Sequence, residues 1–531
     1  MKYTLFDKSQ GSIKDEVLAG LTVAIALVPE AIAFAIIAGV DVRIGLFSAF
    51  MMGIITALIG GRPGMITGAT GAIAVVVAPL VAKFGVVYLF PTIMLAGLIQ
   101  IGVGALKLGK FIRMVPHSVM LGFVNGLAIV IFLAQFSQFT DKSGGSLDNQ
   151  GMMIFIGLIA ITMAIMYFLP KVTKVVPSAL VAIVVATVIA MFFFPDTIRI
   201  GDKADMSSMA SGLFTPFYAL DPTGISYNLG TLMIILPFAL KVAGVGLIES
   251  LLTLTLVDEI TDTRGSGNQE SVGQGVANLV TGFFGGMGGC AMIGQTMINI
   301  NSGARNRLSS LTAALFLLSF MLILGFVIGM IPIAVLVGVM FMVAIGTFEW
   351  SSFRVWNKVP RLDVIVIVVV SVITVVEDLA IAVLAGVIIS ALAFAWENAL
   401  RIRARKSIDD HGVKHYEIYG PLFFASATTF LTKFDAKNDP DHVIIDFAES
   451  KVMDQSAIEA INKVTEKYLS QGKTIHLRHL SKDCVRLIKR AQQICQVNVL
   501  EDPDYFVAIN DYEAELQKKR DAKLNKTLKP V

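Results

Sequence analysis

Charged residues are scarce in this chain of 531 residues. Asp, Glu, Lys and Arg make up 16% of it, against about 25% in an ordinary soluble domain, whereas hydrophobic residues make up 55%. The shortage is confined to residues 17–400, a succession of apolar stretches, and it ends after Arg401. A single soluble globular domain is therefore excluded, and the composition predicts a membrane domain at 17–400 followed by a soluble domain.

Cysteine is also rare, and the charge is nearly balanced. Cys290, Cys484 and Cys495 are odd in number and match no zinc-binding spacing, so neither a disulfide framework nor a cysteine metal site is expected. A net charge of +3 is too small to indicate a nucleic-acid partner. No nucleophile–base pair or phosphate-binding loop stands in a supporting context, which predicts that the protein is not an enzyme. Residues 1–16 lack the apolar centre of a signal peptide and are predicted to be a cytoplasmic segment.

The apolar part of the chain divides into fourteen segments. Eleven stretches approach the roughly 20 apolar residues that a helix needs to cross a bilayer. Three more, Ala69–Val81, Val272–Gly288 and Ala291–Ile300, are too short or too rich in glycine to be plain spans. They count as segments 3, 9 and 10, and with them the number of segments is even, which places both termini on one side of the lipid bilayer.

Basic residues orient these segments, because Lys and Arg favour the cytoplasmic side. They follow even-numbered segments, as Arg305 and Arg307 follow segment 10 and Arg401 follows segment 14. The longest loop on the opposite side, residues 195–228, carries several aspartates and few cations. The pattern predicts a multi-pass plasma-membrane protein (bacterial inner membrane) whose termini and soluble domain are cytoplasmic.

A glycine motif occurs twice. Residues Thr56–Gly64 and Thr281–Gly289 both read Thr, any residue, two apolar residues, Gly-Gly, two residues, Gly, and each precedes a short apolar segment. An odd number of crossings separates the copies, so they have opposite topology. Inverted repeats with broken helices are typical of secondary transporters, and the N-termini of two short helices can bind an anion without a full cation. The alternative is that these glycines only permit close helix packing.

Two carboxylates fall inside apolar segments, where ionisable groups are costly and indicate function. Glu30 follows Pro29 in segment 1, and Phe34, one turn later, either walls a substrate cavity or simply packs. Glu249 lies in segment 8, with Thr253 four residues on and so on the same helix face. A carboxylate with a hydroxyl suits a hard cation such as Na⁺, and the same carboxylate could instead carry a proton. A helix–helix hydrogen bond is the structural alternative for both acids.

Four motifs together resemble the sulfate permease (SulP) family of anion transporters over nearly the whole chain. They are Pro29–Ala35, the run Gly60–Gly64 before Thr67–Gly71, Gly246–Ser250, and Ser302–Asn306. The resemblance implies an α-helical polytopic membrane protein with 14 segments in a seven-plus-seven inverted repeat. It also implies a core of segments 1–4 and 8–11 that moves against a gate of segments 5–7 and 12–14, an elevator-like motion and a homodimer.

The resemblance further implies that the substrate lies between the N-termini of segments 3 and 10. The predicted substrate-binding residues are Glu30, Phe34, Thr67, Gly68, Ala69, Thr70, Gly71, Ala291, Met292, Ile293, Gly294 and Gln295. Many members have Gln in place of Glu30, and animal members often have Ser-Arg in place of Gly294-Gln295. The missing arginine favours cation co-transport and makes the chain look most like the cyanobacterial sodium-dependent bicarbonate transporters. A Na⁺ site at Glu249, Thr253, Ala291 and Ile293 is carried over from them; no other cofactor is expected.

The soluble part alternates strands and helices. Strands are predicted at His415–Phe424, Val443–Phe447 and Thr474–Leu477, and helices at Ser456–Leu469 and Lys482–Gln493. The pattern looks like a STAS domain at residues 415–515, after a basic linker at 401–414 and before a flexible lysine-rich tail at 516–531. Ser456 is interpreted as a helix N-cap or as a regulatory phosphorylation site.

The sequence thus predicts a secondary active transporter of a small inorganic anion, bicarbonate or sulfate, coupled to Na⁺ or H⁺. An uncoupled anion exchanger or channel, a dicarboxylate transporter and a membrane receptor that signals through the soluble domain stay open as alternatives.

Overall fold

A computed structural model describes most of the chain. The described residues are 6–7, 11–109, 115–140, 147–173, 177–203, 214–217, 228–323, 325–354, 358–376, 379–480 and 484. Their contacts divide the chain into two compact units, Met1–Val387 and Ile388–Val531. The predicted helix Lys482–Gln493, apart from Cys484, and the predicted tail 516–531 lie outside the described residues.

Fourteen helices of the described chain correspond to the fourteen predicted segments. They are α1 Ile13–Ala38, α2 Val42–Ile59, α3 Gly71–Phe84, α4 Leu89–Ala105, α5 His117–Ala134, α6 Asn149–Val172, α7 Ser178–Phe193, α8 Leu229–Thr261, α9 Gly267–Phe283, α10 Ile293–Asn301, α11 Arg307–Ile323, α12 Ile333–Thr347, α13 Arg361–Val376 and α14 Leu379–Leu400. Within the described residues, eight helical stretches are long and apolar enough to cross a membrane, and α3, α7 and α11 are shorter apolar helices. The predicted polytopic helical fold is confirmed.

Helix contacts repeat after seven segments. Helix α4 packs on α9 as α11 packs on α2, and α1 packs on α11 as α8 packs on α4. In the same way α5 packs on α13 as α12 packs on α6, and α1 contacts α10 as α8 contacts α3. In each comparison, adding seven to the helix number from the first half and subtracting seven from the one in the second half converts the first contact into the second. The contacts between the two halves of the membrane domain are therefore unchanged when the halves are exchanged, as the duplicated glycine motif predicts.

The contacts also separate the helices into two groups. Helices α1–α4 and α8–α11 contact mainly one another, and α5, α6, α7, α12 and α13 form the second group. The groups meet where α1 contacts α7 and α12 and where α3 contacts α5. This division matches the predicted core and, apart from α14, the predicted gate.

Two short strands that the sequence did not predict lie between the halves. Strand β1, Thr67–Gly68, pairs antiparallel with β2, Cys290–Ala291. A Cβ atom on Gly289 would lie 1.9 Å from the carbonyl oxygen of Gly68, so only glycine fits there. Two further motif glycines, Gly285 and Gly288, have φ of 76° and 70°, which also favours glycine. The motif glycines therefore build this backbone contact, in addition to allowing close packing.

The second unit contains a four-stranded sheet. Its strands are β3 Arg403–Ile408, β4 Lys414–Tyr419, β5 His442–Glu449 and β6 Thr474–Arg478, in the order β3-β4-β5-β6. Strand β3 pairs antiparallel with β4, whereas β4–β5 and β5–β6 are parallel. Helices α15 Ala427–Leu431 and α16 Gln455–Leu469 complete the described part.

Periodicity explains how the sheet and α16 share a core. Alternate residues of β5, Val443, Ile445 and Phe447, are buried, as period-2 strand geometry requires. Helix α16 buries Ile461 and Tyr468, among others, at helical spacing. Together they form one apolar cluster, so the predicted α/β fold of the soluble domain is confirmed.

The segment predicted as a basic linker, residues 401–414, contains strand β3. Ile402, two residues after the end of α14, is 1% exposed and belongs to the apolar cluster of the soluble unit. Ala404 also packs against that cluster. The linker prediction was wrong because β3 is an edge strand of the sheet on which almost every side chain is exposed, so its basic composition resembles that of a solvated segment.

A carboxylate fixes the loop before β5. The side chain of Asp439 has no exposed surface and accepts hydrogen bonds from Lys414 Nζ at 2.5 Å, Tyr416 Oη at 2.5 Å and Tyr468 Oη. Burial raises the pKa of Asp439, but the three hydrogen bonds outweigh burial and leave the pKa below its ordinary value. Lys473 Nζ donates to backbone carbonyls of the same loop, including that of Ala436 at 2.8 Å. The loop is thus tied to β4, α16 and the start of β6.

Replacing Asp439 by asparagine is expected to destabilise the soluble unit by roughly 3 kcal/mol, because it removes one charge from a buried pair. Amide hydrogen exchange of β4 in the detergent-solubilised full chain should then be about a hundredfold faster. The wild-type advantage should be present above pH of about 3.9, the ordinary Asp pKa, and be lost as pH falls through the lowered pKa.

Asp435→Asn is the matched control, since Asp435 is exposed in the same loop and its side chain accepts a local hydrogen bond from Asn438, while its backbone N–H donates to Tyr416 Oη in either variant. Equal exchange in the two variants, or a difference that persists unchanged into acid, would contradict the assigned role of Asp439.

Candidate functional site

The site is built where the two halves of the membrane unit meet. Strand β1 leads through Thr70 into α3, and β2 leads through Met292 into α10. Thr70 Oγ1 caps α3 by accepting from the Ile73 N–H at 3.4 Å. Met292 has no oxygen with which to cap α10, so the first N–H groups of that helix have neither a side-chain cap nor an intrahelical carbonyl. Because β1 pairs with β2, the two short helices both begin close to one small sheet, each just after one of its strands.

A cavity of about 100 Å³ borders both helix starts. Its lining from the first helix group comprises Glu30, Phe34, Thr70, Gly71, Ala72, Glu249, Met292, Ile293, Gly294 and Gln295. The second helix group contributes Phe123, Val124, Leu127 and Ile131 of α5 and Val343 and Thr347 of α12. The described lining contains two carboxylates and no Lys, Arg or His. The cavity therefore lies between the two helix groups and offers backbone N–H groups, rather than cations, to an anion.

Four predicted substrate-binding residues are not in this lining. Thr67, Gly68 and Ala291 form the strand pair, and Ala69 follows it, with all four buried. Their places in the backbone position α3 and α10. The remaining eight predicted residues, from Glu30 to Gln295, all border the cavity.

Glu30 pairs with the start of α10. Its Oε1 accepts a hydrogen bond from Gln295 Nε2 at 2.7 Å. The residue one turn on, Phe34, is 3% exposed, lines the cavity, and would contact any Cβ placed on Gly71. Phe34 therefore forms part of the cavity wall, against α3.

Glu249 is joined to α3 through a thiol. Cys290 Sγ donates to Glu249 Oε2 at 2.8 Å and lies 3.1 Å from Thr70 Oγ1. Thr253 donates to the backbone carbonyl of Glu249 at 2.7 Å, as hydroxyls in apolar helices commonly do. Thr253 is fully buried and does not line the cavity. Sequence reasoning did not predict the bond to Cys290, because an isolated cysteine in an apolar segment is normally a buried hydrophobe.

Helix α9 supports the strand pair with a polar stripe. Glu270 accepts from the Gly61 N–H at 2.6 Å, Gln274 Nε2 donates to Thr67 Oγ1 at 3.0 Å, and Asn278 exchanges two hydrogen bonds with Gly289. The three polar residues are four positions apart, so they share one helix face. That spacing in an otherwise weakly polar segment is the sequence signal that could have found them.

One more support comes from α8. Ser250 Oγ accepts from the Ala291 N–H at 3.1 Å, next to Glu249 in the chain. Helix α8 therefore holds β2 by two adjacent side chains, Glu249 through Cys290 and Ser250 through Ala291.

The predicted cation site has oxygen donors but no cluster of acids. Glu249 supplies the one carboxylate, and the described residues contain no group of three or more His, Cys, Asp or Glu that could hold a metal ion. One carboxylate, a threonine hydroxyl and backbone carbonyls of Ala291 and Ile293 would together make a hard, singly charged donor set. Donors of this kind suit Na⁺ and not a transition metal.

In the soluble unit, Ser456 is the second residue of α16 and not its N-cap. Asp454 is the N-cap: its Oδ1 accepts from the Ala457 N–H at 2.9 Å, and its Oδ2 accepts from the Phe424 N–H at 2.7 Å. The N-cap interpretation of Ser456 was wrong because a stronger acceptor occurs two residues earlier. Regulation through Ser456 stays a prediction.

Family models and known proteins point to the same family for this chain. Residues 13–370 match the model of the sulfate permease family, and residues 405–500 match that of the STAS domain. YbaR of Bacillus subtilis (strain 168), whose name provisionally describes a sulfate transporter, is 43% identical over 489 residues, covering 92% of this chain and 99% of YbaR. Bicarbonate transporter BicA of Picosynechococcus is 30% identical over 513 residues, covering 88% of each chain.

Two solved structures of anion transporters are also similar to this chain. The transmembrane domain of a cyanobacterial bicarbonate transporter BicA aligns with a TM-score of 0.59 at 32% identity, over 70% of this chain and 97% of that one. The murine anion transporter Slc26a9 in its inward-facing state aligns with a TM-score of 0.77 over 97% of this chain and 93% of that one. At 19% identity the second likeness concerns the fold alone.

Proposed function

The chain belongs to the sulfate permease family of anion transporters, and on this premise we propose that it is a secondary active transporter of bicarbonate or sulfate, coupled to Na⁺ or H⁺. The observation that carries the proposal is the cavity at the starts of α3 and α10, which combines helix N–H groups that have no intrahelical carbonyl to bind with two carboxylates. Helix N-termini favour anions, whereas Glu30 and Glu249 repel them unless a cation or proton neutralises the carboxylates. Anion binding is then favoured when a cation is bound, which is the basis of co-transport.

Na⁺ would be held by Glu249, Thr253 and the backbone oxygens of Ala291 and Ile293. When bound, the ion would supply a positive charge that the described lining of the cavity lacks. The protein's part is positional: Cys290 holds the Glu249 carboxylate, and Ser250 holds the Ala291 backbone. If the coupling ion is H⁺, Glu249 is the group that would carry it.

The small cavity favours an inorganic ion over a dicarboxylate. About 100 Å³ corresponds to about three waters at roughly 30 Å³ each, which suits an ion of four or five heavy atoms. The two carboxylates favour coupling over an uncoupled exchanger or channel, since without a counter-charge they weaken anion binding in both directions.

Movement of the first helix group against the second would carry the cavity across the membrane in an elevator-like motion. Support for this comes from the cavity's position, because α5 and α12 form one wall and the helix starts form the other. We expect the chain to act as a homodimer in the bacterial inner membrane with both termini and the STAS domain cytoplasmic, as the sequence resemblance and the basic residues indicate.

The experiment that tests the proposal is uptake of labelled bicarbonate and labelled sulfate into liposomes that contain the purified chain. A Na⁺ or proton gradient directed inward should raise internal anion above its equilibrium level, and dissipating the gradient with an ionophore should remove the excess. Uptake of either anion that is indifferent to both gradients would favour the exchanger or channel, and no uptake of any anion would refute the proposed function.

A further inference from the structure

Gln295 lines the cavity, and only one end of its side-chain amide has a hydrogen-bond partner among the described residues. Its Nε2 donates to Glu30 at 2.7 Å, and because an ionised carboxylate only accepts hydrogen bonds, this contact sets which end of the amide faces Glu30. The other end, Oε1, is buried and has no hydrogen-bond partner among the described residues. The whole side chain is 3% exposed. A buried acceptor in this state is destabilising, so a ligand that donates to it gains affinity.

The rest of the cavity offers mainly donors. The first N–H groups of α3 and α10, at Gly71, Ala72, Ile293 and Gly294, have no intrahelical carbonyl to bind, and all four residues border the cavity. A ligand that satisfies them needs several acceptor oxygens. The ligand that satisfies the whole site therefore has acceptor oxygens and, for Gln295, one hydrogen-bond donor.

Charge restricts the ligand further. Glu30 and Glu249 both line the cavity, and its described lining contains no Lys, Arg or His. In a site removed from water each additional negative charge on the ligand is repelled by whichever carboxylate the coupling cation leaves charged. A monoanion is therefore favoured over a dianion.

Resting on the proposed function, we propose that Gln295 determines specificity by accepting a hydrogen bond from the O–H group of a monoanionic oxyanion, and that this ligand is hydrogencarbonate. Hydrogencarbonate carries one negative charge, three oxygens and one O–H. Sulfate carries two charges and no donor at neutral pH. In the bound arrangement the helix N–H groups donate to the two unprotonated oxygens, and the third oxygen donates its proton to Gln295 Oε1.

Competition in the wild-type chain tests this without any substitution. Nitrate is the matched probe, because it is planar, has three oxygens and one negative charge, and lacks the O–H group. At mildly alkaline pH and a fixed cation gradient, nitrate should inhibit labelled hydrogencarbonate uptake on the order of tenfold to a hundredfold more weakly than unlabelled hydrogencarbonate does. Sulfate should also inhibit more weakly. Nitrate that competes as well as hydrogencarbonate overturns the inference.

Gln295→Met adds a second measurement, since methionine has similar length and no oxygen. The preference for hydrogencarbonate over nitrate should fall to about threefold or less, because an apolar side chain leaves no acceptor unsatisfied when nitrate binds. Gln150→Met, the same change at an exposed position at the start of α6, should keep the wild-type ratio. A full wild-type preference in Gln295→Met refutes the role of Gln295.

The failure of this inference is distinguishable from failure of the proposed function. A chain that accumulates sulfate under a cation gradient but excludes hydrogencarbonate refutes the inference and keeps the transporter assignment. A chain that accumulates no anion refutes the transporter assignment. If Gln295→Met does not fold, as judged by its melting temperature, the wild-type competition decides alone.

Discussion

Glutamine in place of Glu249 should abolish gradient-driven accumulation of the anion. The change is nearly isosteric and removes the only carboxylate of the predicted cation site, while an amide oxygen can still accept the Cys290 thiol. Losing a charged hydrogen-bonding partner costs about 1.5–3 kcal/mol, which corresponds to an apparent cation affinity roughly tenfold to a hundredfold lower. In liposomes with an inward Na⁺ or proton gradient, internal anion should approach but not exceed equilibrium.

Glu259→Gln is the control for this substitution. Glu259 lies on the same helix, α8, is exposed, and does not line the cavity. The control should accumulate anion as the wild type does, with both variants inserted and folded to the same extent. Gradient-dependent accumulation that survives in Glu249→Gln would refute the assignment of Glu249 to coupling.

Alanine in place of Gly289 should also eliminate transport, in this case by distorting the backbone that positions the site. Its Cβ would lie 1.9 Å from the Gly68 carbonyl oxygen, so β1 and β2 would have to separate. Gly289 cannot easily shift instead, because Asn278 holds both its N–H, at 2.9 Å, and its carbonyl, at 3.0 Å. Overpacking of this kind costs about 1–3 kcal/mol or more, and it displaces the starts of α3 and α10 together.

Melting temperature in detergent and anion uptake in liposomes measure this effect. Gly244→Ala is the matched control: it makes the same change inside α8, at a position where a Cβ has nothing within 4 Å. The control should keep its melting temperature and its uptake, since alanine favours a helix. Normal uptake by Gly289→Ala would show that the strand pair does not position the site.

Much of the membrane fold could be predicted from the sequence, because apolar length and basic residues act locally. The short segments after Gly64 and Gly289 were predicted as broken helices from their length and from the repeated glycine motif, and α3 and α10 are those helices. The β1–β2 pairing was not predicted, since two-residue strands have no periodicity and their partners are 222 or more residues apart. Hydrogen-bond partners such as Cys290 for Glu249 depend on packing in three dimensions and have no signature in a single sequence.

The boundary of the soluble domain was placed too late in the chain, because composition alone does not reveal a strand. Basic composition at 401–414 is what a solvated linker would have, yet the buried Ile402 and the partly buried Ala404 alternate with exposed arginines at the start of a strand that completes a sheet. Composition averages over a window, whereas strand burial alternates residue by residue. The helix N-cap was mistaken for a related reason: Asp454 and Ser456 are both good caps, and only the observed start of α16 distinguishes them.

The buried Ile402 limits where the chain can be cut. A soluble fragment that begins at residue 415 would lack β3 and leave the β4 edge unpaired, which invites aggregation through strand addition. One that begins at residue 405 would keep part of the strand but lose Ile402 and its place in the apolar cluster. A fragment intended for binding or phosphorylation assays should therefore begin at Arg401 or earlier, within or directly at the end of α14.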